Sequence, residues 1–89
     1  MKTFKDLEFK KHPSSFGFDK QAVLNFDNNY GVSVITGSSA YTSHDKPFEV
    51  AIMYNEELCY STHITDDVLG YQSADDVNRI LFEVQNLKE

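Results

Sequence analysis

The carboxyl-terminal segment, residues 73–88, constrains the fold most, because its apolar residues recur with the period of an α-helix. Ser73 followed by two acids is typical of a helix start, where a hydroxyl and carboxylates satisfy free N–H groups and the positive end of the helix dipole. The apolar residues occupy a stripe roughly 80–120° wide, as expected of a helix that lies across a sheet. They are Val77, Ile80, Leu81, Val84 and Leu87.

Several runs within residues 20–62 alternate between apolar and polar positions with the period of a β-strand, and residues 37–47 between them form a polar loop. The run "QAVLNFD" leads to "YGVSVIT" through Asn28 and Asn29, which tolerate the positive φ of a tight turn. The run "FEVAIMY" is followed by the turn "NEE" and then by "LCYST". This pattern predicts two β-hairpins. Together with the helix stripe, the predicted core contains Val23 or its neighbours on the alternate face, and Val32, Val34, Val50 and Ile52.

The N-terminal segment, residues 1–19, admits two interpretations. The run "LEFKK" alternates as a further strand would, whereas "TFKDL" can begin a helical turn capped by Thr3 and Asp6. A chain of 89 residues is long enough for a single domain with one modest core. We therefore predict an α+β fold, an antiparallel sheet of four to five strands with one C-terminal helix packed on one face.

Cysteine content and hydropathy narrow the class of protein. No apolar run approaches the 18 or so residues of a membrane span, and the N-terminus lacks the apolar region of a secretory signal. Cys59 is the only cysteine, which excludes an internal disulfide and a multi-cysteine zinc site. We expect a cytoplasmic protein without membrane association.

Charge is distributed unevenly along the chain. Residues 1–20 hold five lysines against three carboxylates, whereas residues 45–89 hold three basic residues against ten carboxylates. Repulsion from phosphates therefore argues against direct nucleic-acid binding by the second half, and a partner with a basic surface is favoured. Simple solubility accounts for the same charge.

The stretch "HITDD" is the strongest candidate for chemistry. A metal site needs three or more converging ligands, and His63 with the adjacent Asp66 and Asp67 supplies at most two. The composition is that of a turn in which Thr and Asp side chains bond to nearby backbone N–H groups. Val68 and Tyr71 would then dock on the sheet before the helix begins. We interpret the stretch as a turn, with a ligand or metal site as the alternative.

Other catalytic signals are weak. Cys59 sits on a predicted strand, where a packed thiol is expected rather than an activated nucleophile. Neither a G-x-S-x-G elbow nor a glycine-rich phosphate loop occurs. We expect no enzymatic activity, no cofactor and no metal. Three tyrosines, Tyr30, Tyr54 and Tyr60, are predicted to serve as core or interface anchors.

Phe82 departs from the apolar stripe, since it lies about 140° from Val77 at 100° per residue. An aromatic on the polar face of a helix is either covered by another segment or offered to a partner. The N-terminal segment is the candidate cover for Phe82, and contact with a partner is the alternative.

Two blocks together resemble a family: "NFDNNYGVSVITGSSAYT" and "PFEVAIMYNEELCYSTHITDDVLGYQSADDVNRIL". They are similar to small proteins of bacteriophages and prophages in which Y-G-[VI]-S-V, [FY]-E-V-A-[VI] and T-D-D-V-[LI]-G-Y precede a short terminal helix. The resemblance spans most of residues 20–85. It implies a host-cytoplasm setting, in which very small proteins often inhibit or redirect host machinery. The resemblance assigns no functional residues to this chain.

The resulting hypothesis is a non-enzymatic, acidic protein-binding domain, encoded by a phage and directed against a bacterial defence complex, as an anti-CRISPR protein is. Its partner would be a host or defence-system protein with a basic surface. The candidate contact residues are Asp66, Asp67, Asp75, Asp76, Glu56, Glu57 and Phe82. One alternative is a small ligand- or metal-binding module or enzyme that uses His63, Asp66 and Asp67. Another is a structural or virion-assembly accessory, and an exposed sheet face or edge would allow a homodimer.

Overall fold

An antiparallel sheet carries a single helix near the C-terminus, which confirms the predicted α+β fold. The computed structural model describes residues 1–12, 19–38, 40–65 and 67–88. The chain begins with one 3₁₀ turn, Phe4–Asp6. The strands are β1 (Lys10–Lys11), β2 (Lys20–Asn25), β3 (Tyr30–Thr36), β4 (Phe48–Tyr54), β5 (Glu57–Leu58) and β6 (Leu69–Gln72), and the helix is α1 (Ala74–Gln85).

The strand order is β1-β2-β3-β4-β5, and β6 also pairs with β4. Since β3 occupies one edge of β4, β5 and β6 share the other edge, β5 at the end of β4 and β6 at its start. Both predicted hairpins are present. The first turns through Asn29 with φ 69°, and the second through Asn55 and Glu56 with φ of 51° and 68°. The return strand of the second hairpin is shorter than "LCYST" suggested: it ends at Leu58 and is followed by one more backbone bond, from the Cys59 N–H to Ile52 O at 2.8 Å.

The core lies between α1 and one face of the sheet. Its eight buried members include every predicted residue of β3 and β4 and four of the five stripe residues; they are Val32, Val34, Val50, Ile52, Val77, Ile80, Leu81 and Val84. On β2 the predicted face depends on register. Ala22 pairs with Val34 and is fully buried, whereas Val23 is 50% exposed. Of the two predicted alternatives, the face of Ala22 is therefore the core face of β2, and Val23 lies on the opposite face.

The N-terminal segment contains both of the expected elements. The backbone N–H of Thr3 donates to Asp6 Oδ2 at 2.7 Å, which closes the 3₁₀ turn as the capping pair predicted. The chain then pairs Lys10 with Gln21 in a strand of two residues. Phe4 meets the ring of Phe48 edge to face, with centroids 5.3 Å apart. Through this aromatic contact the N-terminal segment packs against the start of β4.

Each end of α1 is capped by a polar side chain. At the N-terminus Ser73 Oγ accepts the backbone N–H of Asp76 at 3.1 Å, as the sequence predicted. At the C-terminus the Asn28 side-chain amide donates to the carbonyls of Val84 and Leu87, each at 2.9 Å. The helix ends at Gln85, short of the predicted Lys88. Asn28 therefore fixes the end of α1 to the β2–β3 turn.

Among the described strands, β6 was not indicated by the alternation of apolar and polar residues. Leu69 pairs with Val50 and Gln72 with Phe48, so two residues of β6 oppose Glu49 alone, which is a β-bulge. The expectation that Tyr71 docks on the sheet was wrong, since the bulge turns its side chain outward and leaves it 54% exposed.

No helix within the described ranges is long and apolar enough to cross a membrane.

Candidate protein-binding surface

The candidate acids lie in three separate places. Glu56 and Glu57 sit at the β4–β5 turn, Asp67 precedes β6, and Asp75 lies in the first turn of α1. Asp66 lies outside the described residues.

The acids of the β4–β5 turn and those of α1 lie at opposite ends of the helix. Asn28 connects the C-terminal end to the β2–β3 turn, and the backbone N–H of Asn55 donates to Asn29 O at 2.9 Å, so the β4–β5 turn lies at that same end. A 12-residue helix is about 18 Å long, which places Asp75 at the far end. The fold therefore does not gather the acids into one patch.

Asp76 is used within its own helix. One carboxylate oxygen accepts the backbone N–H of Ser73 at 2.9 Å, and the other lies 3.9 Å from the guanidinium of Arg79. The hydrogen bonds from the backbone and side chain of Ser73, with a smaller contribution from Arg79, lower the pKa of Asp76 below its usual 3.8. Of the two candidate contact acids in α1, only Asp75 is exposed and open to a partner.

Phe82 is 58% exposed, so the candidate cover by the N-terminal segment is absent. That segment runs along a neighbouring flank of α1. The backbone N–H of Phe4 donates to Asn78 Oδ1 at 2.9 Å, and Lys2 and Gln85 exchange two hydrogen bonds of 2.8 Å. Asn78 and Gln85 lie about 100° and 80° from Val77, whereas Phe82 lies at about 140°. The segment is therefore fixed to one side of Phe82 and leaves its ring in solvent.

The outward face of α1 combines an apolar residue with an acid. Asp75 precedes Phe82 by seven residues, so the two side chains share a face about 10 Å apart along the axis. Arg79 lies between them, and its guanidinium is shared by Asp76 and Glu83 at 3.9 and 3.7 Å. We call Asp75, Arg79 and Phe82 the outer face of α1. A cleft of about 340 Å³ between the 3₁₀ turn and the helix adjoins it at Asp75.

The described part of "HITDD" forms a turn. Thr65 Oγ1 accepts the backbone N–H of Asp67 at 3.1 Å and donates to the Asp67 carbonyl at 2.9 Å. Asp67 Oδ1 accepts the N–H of Val68 at 2.8 Å. These side chains satisfy the local backbone, as the turn interpretation predicted. Among the residues that the structure describes, no group of three His, Cys, Asp or Glu side chains is placed to hold a metal ion.

Sequence reasoning did not single out Tyr41 and assigned Tyr71 to the sheet, yet both are exposed, Tyr41 by 63%. The candidate anchors Tyr30 and Tyr54 pack against each other, with ring centroids 4.7 Å apart and ring planes tilted by 56°. The sequence signal that could have indicated the exposed position of Tyr71 was Gly70, because an isolated glycine within a strand often marks a bulge or a close approach of another backbone.

No protein-family model, curated protein or solved structure matches the chain.

Proposed function

We propose that this chain is a non-enzymatic protein-binding domain and that the outer face of α1 is its contact surface. The observation that carries the proposal is Phe82, an aromatic side chain 58% exposed beside a segment that stops short of covering it. Aromatic anchors that enter a pocket of the partner supply much of the energy of protein interfaces. Phe82 is placed on a rigid helix for such a role.

The charge of the chain supports a basic partner. The formal net charge is −6, and Asp75 lies exposed on the same face as Phe82. Complementary charge raises the rate of encounter and sets orientation, while the apolar anchor supplies affinity. The other candidate acids lie elsewhere on the molecule and would contribute mainly through the long-range electrostatic field; they are Asp67, Glu56 and Glu57.

The biological setting rests on the resemblance to phage and prophage proteins and on the acidity of the chain. In that setting the domain acts in the host cytoplasm as an inhibitor of a defence complex. A CRISPR effector holds nucleic acid in a basic groove, and an acidic domain with an apolar anchor is suited to occupy such a groove.

The test uses the partner captured from the bacterial host, purified and titrated against the full chain by calorimetry. Phe82→Ala should weaken binding by about thirtyfold or more, the effect of removing a hot-spot aromatic. Asp75→Lys should weaken binding in a salt-dependent manner.

The matched control is Tyr60→Ala, which removes an aromatic 45% exposed beyond β5 and should leave affinity unchanged. Unchanged affinity in both the Phe82 and Asp75 variants, with the fold intact by circular dichroism, would refute the helix-face proposal.

A further inference from the structure

Two tyrosines that the proposed function does not use are held side by side at the edge of the sheet. The backbone N–H of Tyr71 donates to the carbonyl of Tyr41 at 2.8 Å. Both side chains are more than half exposed. Neither ring belongs to an aromatic pair within the described residues, so no other ring of that part of the chain covers them.

The backbone adopts an unfavourable conformation to turn Tyr71 outward. In a regular strand Tyr71 would share the inward face of Leu69, where an aromatic side chain would be buried. The bulge opposite Glu49 breaks that alternation, and Tyr71 adopts a φ of 56°. Bulky residues rarely occupy this left-handed region, and strained positions of this kind cluster at functional sites.

The loop that carries Tyr41 is fixed against β6. The backbone N–H of Tyr41 donates to Glu49 Oε1 at 2.8 Å, and the Tyr41 carbonyl accepts the N–H of Tyr71. Both main-chain polar groups of Tyr41 are therefore bonded. Gly70 lies directly beneath: a Cβ at that position would come within 2.8 Å of the Tyr41 Cβ. Only glycine permits this approach. The arrangement therefore presents Tyr41 from a rigid support rather than from a mobile loop.

The surroundings of the pair are acidic. The two segments that carry the tyrosines, residues 41–49 and 67–72, hold three carboxylates against one lysine, Lys46. The carboxylates are Asp45, Glu49 and Asp67. Aromatic faces next to carboxylates attract cations, and a planar guanidinium both stacks on a ring and forms paired hydrogen bonds to a carboxylate. Phosphate groups would be repelled.

We propose that Tyr41 and Tyr71 form a second contact surface, which receives an arginine side chain of a protein partner. The proposal rests on the proposed function in that the partner is a basic protein, but it involves a different surface and different residues. Arginine is favoured over lysine because the ring faces reward a planar cation.

The test measures binding of the full chain to two labelled peptides, an arginine–glycine repeat and a lysine–glycine repeat of equal length and charge. Fluorescence anisotropy at low ionic strength should show tighter binding of the arginine peptide. Tyr41→Ala and Tyr71→Ala should each weaken that binding by about two- to fivefold and remove the preference over lysine. Tyr71→Phe should retain it, since the ring is preserved.

Two controls separate this surface from the outer face of α1. Tyr60→Ala and Phe82→Ala should bind the arginine peptide as the wild type does. Loss of partner binding in Phe82→Ala with normal peptide binding supports both proposals. Equal binding of the two peptides, or no effect of either tyrosine variant, overturns the arginine surface without bearing on Phe82.

Tyr71→Gly tests whether the strain serves binding. Glycine adopts a φ of 56° without penalty, so this variant should be at least as stable to urea as the wild type and yet lose the arginine preference. A variant that binds the arginine peptide normally contradicts the proposal. Tyrosine-dependent binding of a single-stranded oligonucleotide, tested in parallel, would also overturn it in favour of a base-stacking surface.

Discussion

At the scale of single residues, a few polar side chains determine how α1 is held. Ser73 and Asp76 exchange hydrogen bonds of 3.1 and 2.9 Å at its first turn. Asn28 reaches the carbonyls of the last turn from a different part of the chain. The first N–H groups and the last carbonyls of a helix have no hydrogen-bond partner inside the helix. These side-chain contacts supply partners for some of them and so stabilise both ends.

The Ser73–Asp76 pair predicts an acid-sensitive component of stability. Because the pKa of Asp76 is lower in the folded chain than in the unfolded chain, its contribution is fully present above about pH 4. The contribution is lost as pH falls through the folded pKa, since the unfolded state takes up the proton first. Urea unfolding of Asp76→Asn should show a smaller loss of stability between pH 5 and pH 2.5 than the wild type.

Glu56→Gln, at an exposed turn position, serves as the control for this measurement and should follow the wild-type curve. Identical pH dependence of wild type and Asp76→Asn would show that the capping carboxylate adds nothing to stability.

At the scale of the elements, adjacent positions of α1 have opposite roles. Leu81 is fully buried against the sheet, whereas Phe82, one residue later, points into solvent. A rotation of 100° per residue accounts for the change, because the core stripe covers only one side of the helix. The same reasoning explains why the N-terminal segment, fixed at Asn78, leaves Phe82 uncovered.

This contrast gives a paired prediction for stability. Leu81→Ala should lower the free energy of unfolding by about 2–5 kcal/mol, since it removes buried methyl groups and leaves a cavity. Phe82→Ala should change it by no more than about 0.5 kcal/mol. Chemical denaturation of both variants checks this, and a large loss in Phe82→Ala would mean that its ring is packed in solution.

At the scale of the whole molecule, negative charge exceeds positive charge. Arg79 forms ion pairs with Asp76 and Glu83, and both pairs are partly exposed. Exposed pairs contribute little, so the net charge of −6 acts mainly as self-repulsion.

We therefore expect salt to stabilise the fold. Raising NaCl from about 10 to 200 mM should increase the free energy of unfolding by up to about 1 kcal/mol, because screening reduces the repulsion. The double variant Glu56→Lys, Glu57→Lys should show a weaker dependence, since its net charge is smaller. Destabilisation by added salt would indicate that attractive pairs dominate instead.

The sequence alone determined the elements whose residues form a local pattern. The helix stripe, the two hairpins and the Ser73 cap follow from periodicity and turn chemistry, because those signals lie within a few residues of each other. Alternation also identified the core residues of β3 and β4.

Only the tertiary structure decided what depended on distant partners. Register against Val34 chose Ala22 over Val23 for the core, and pairing with β4 produced the bulge that exposes Tyr71. The position of the N-terminal segment beside α1, and with it the exposure of Phe82, followed from hydrogen bonds between residues more than 70 positions apart. Contacts of that range leave no periodic trace in a sequence, so the exposure of Phe82 and the contact between Tyr41 and Tyr71 were visible only in the folded chain.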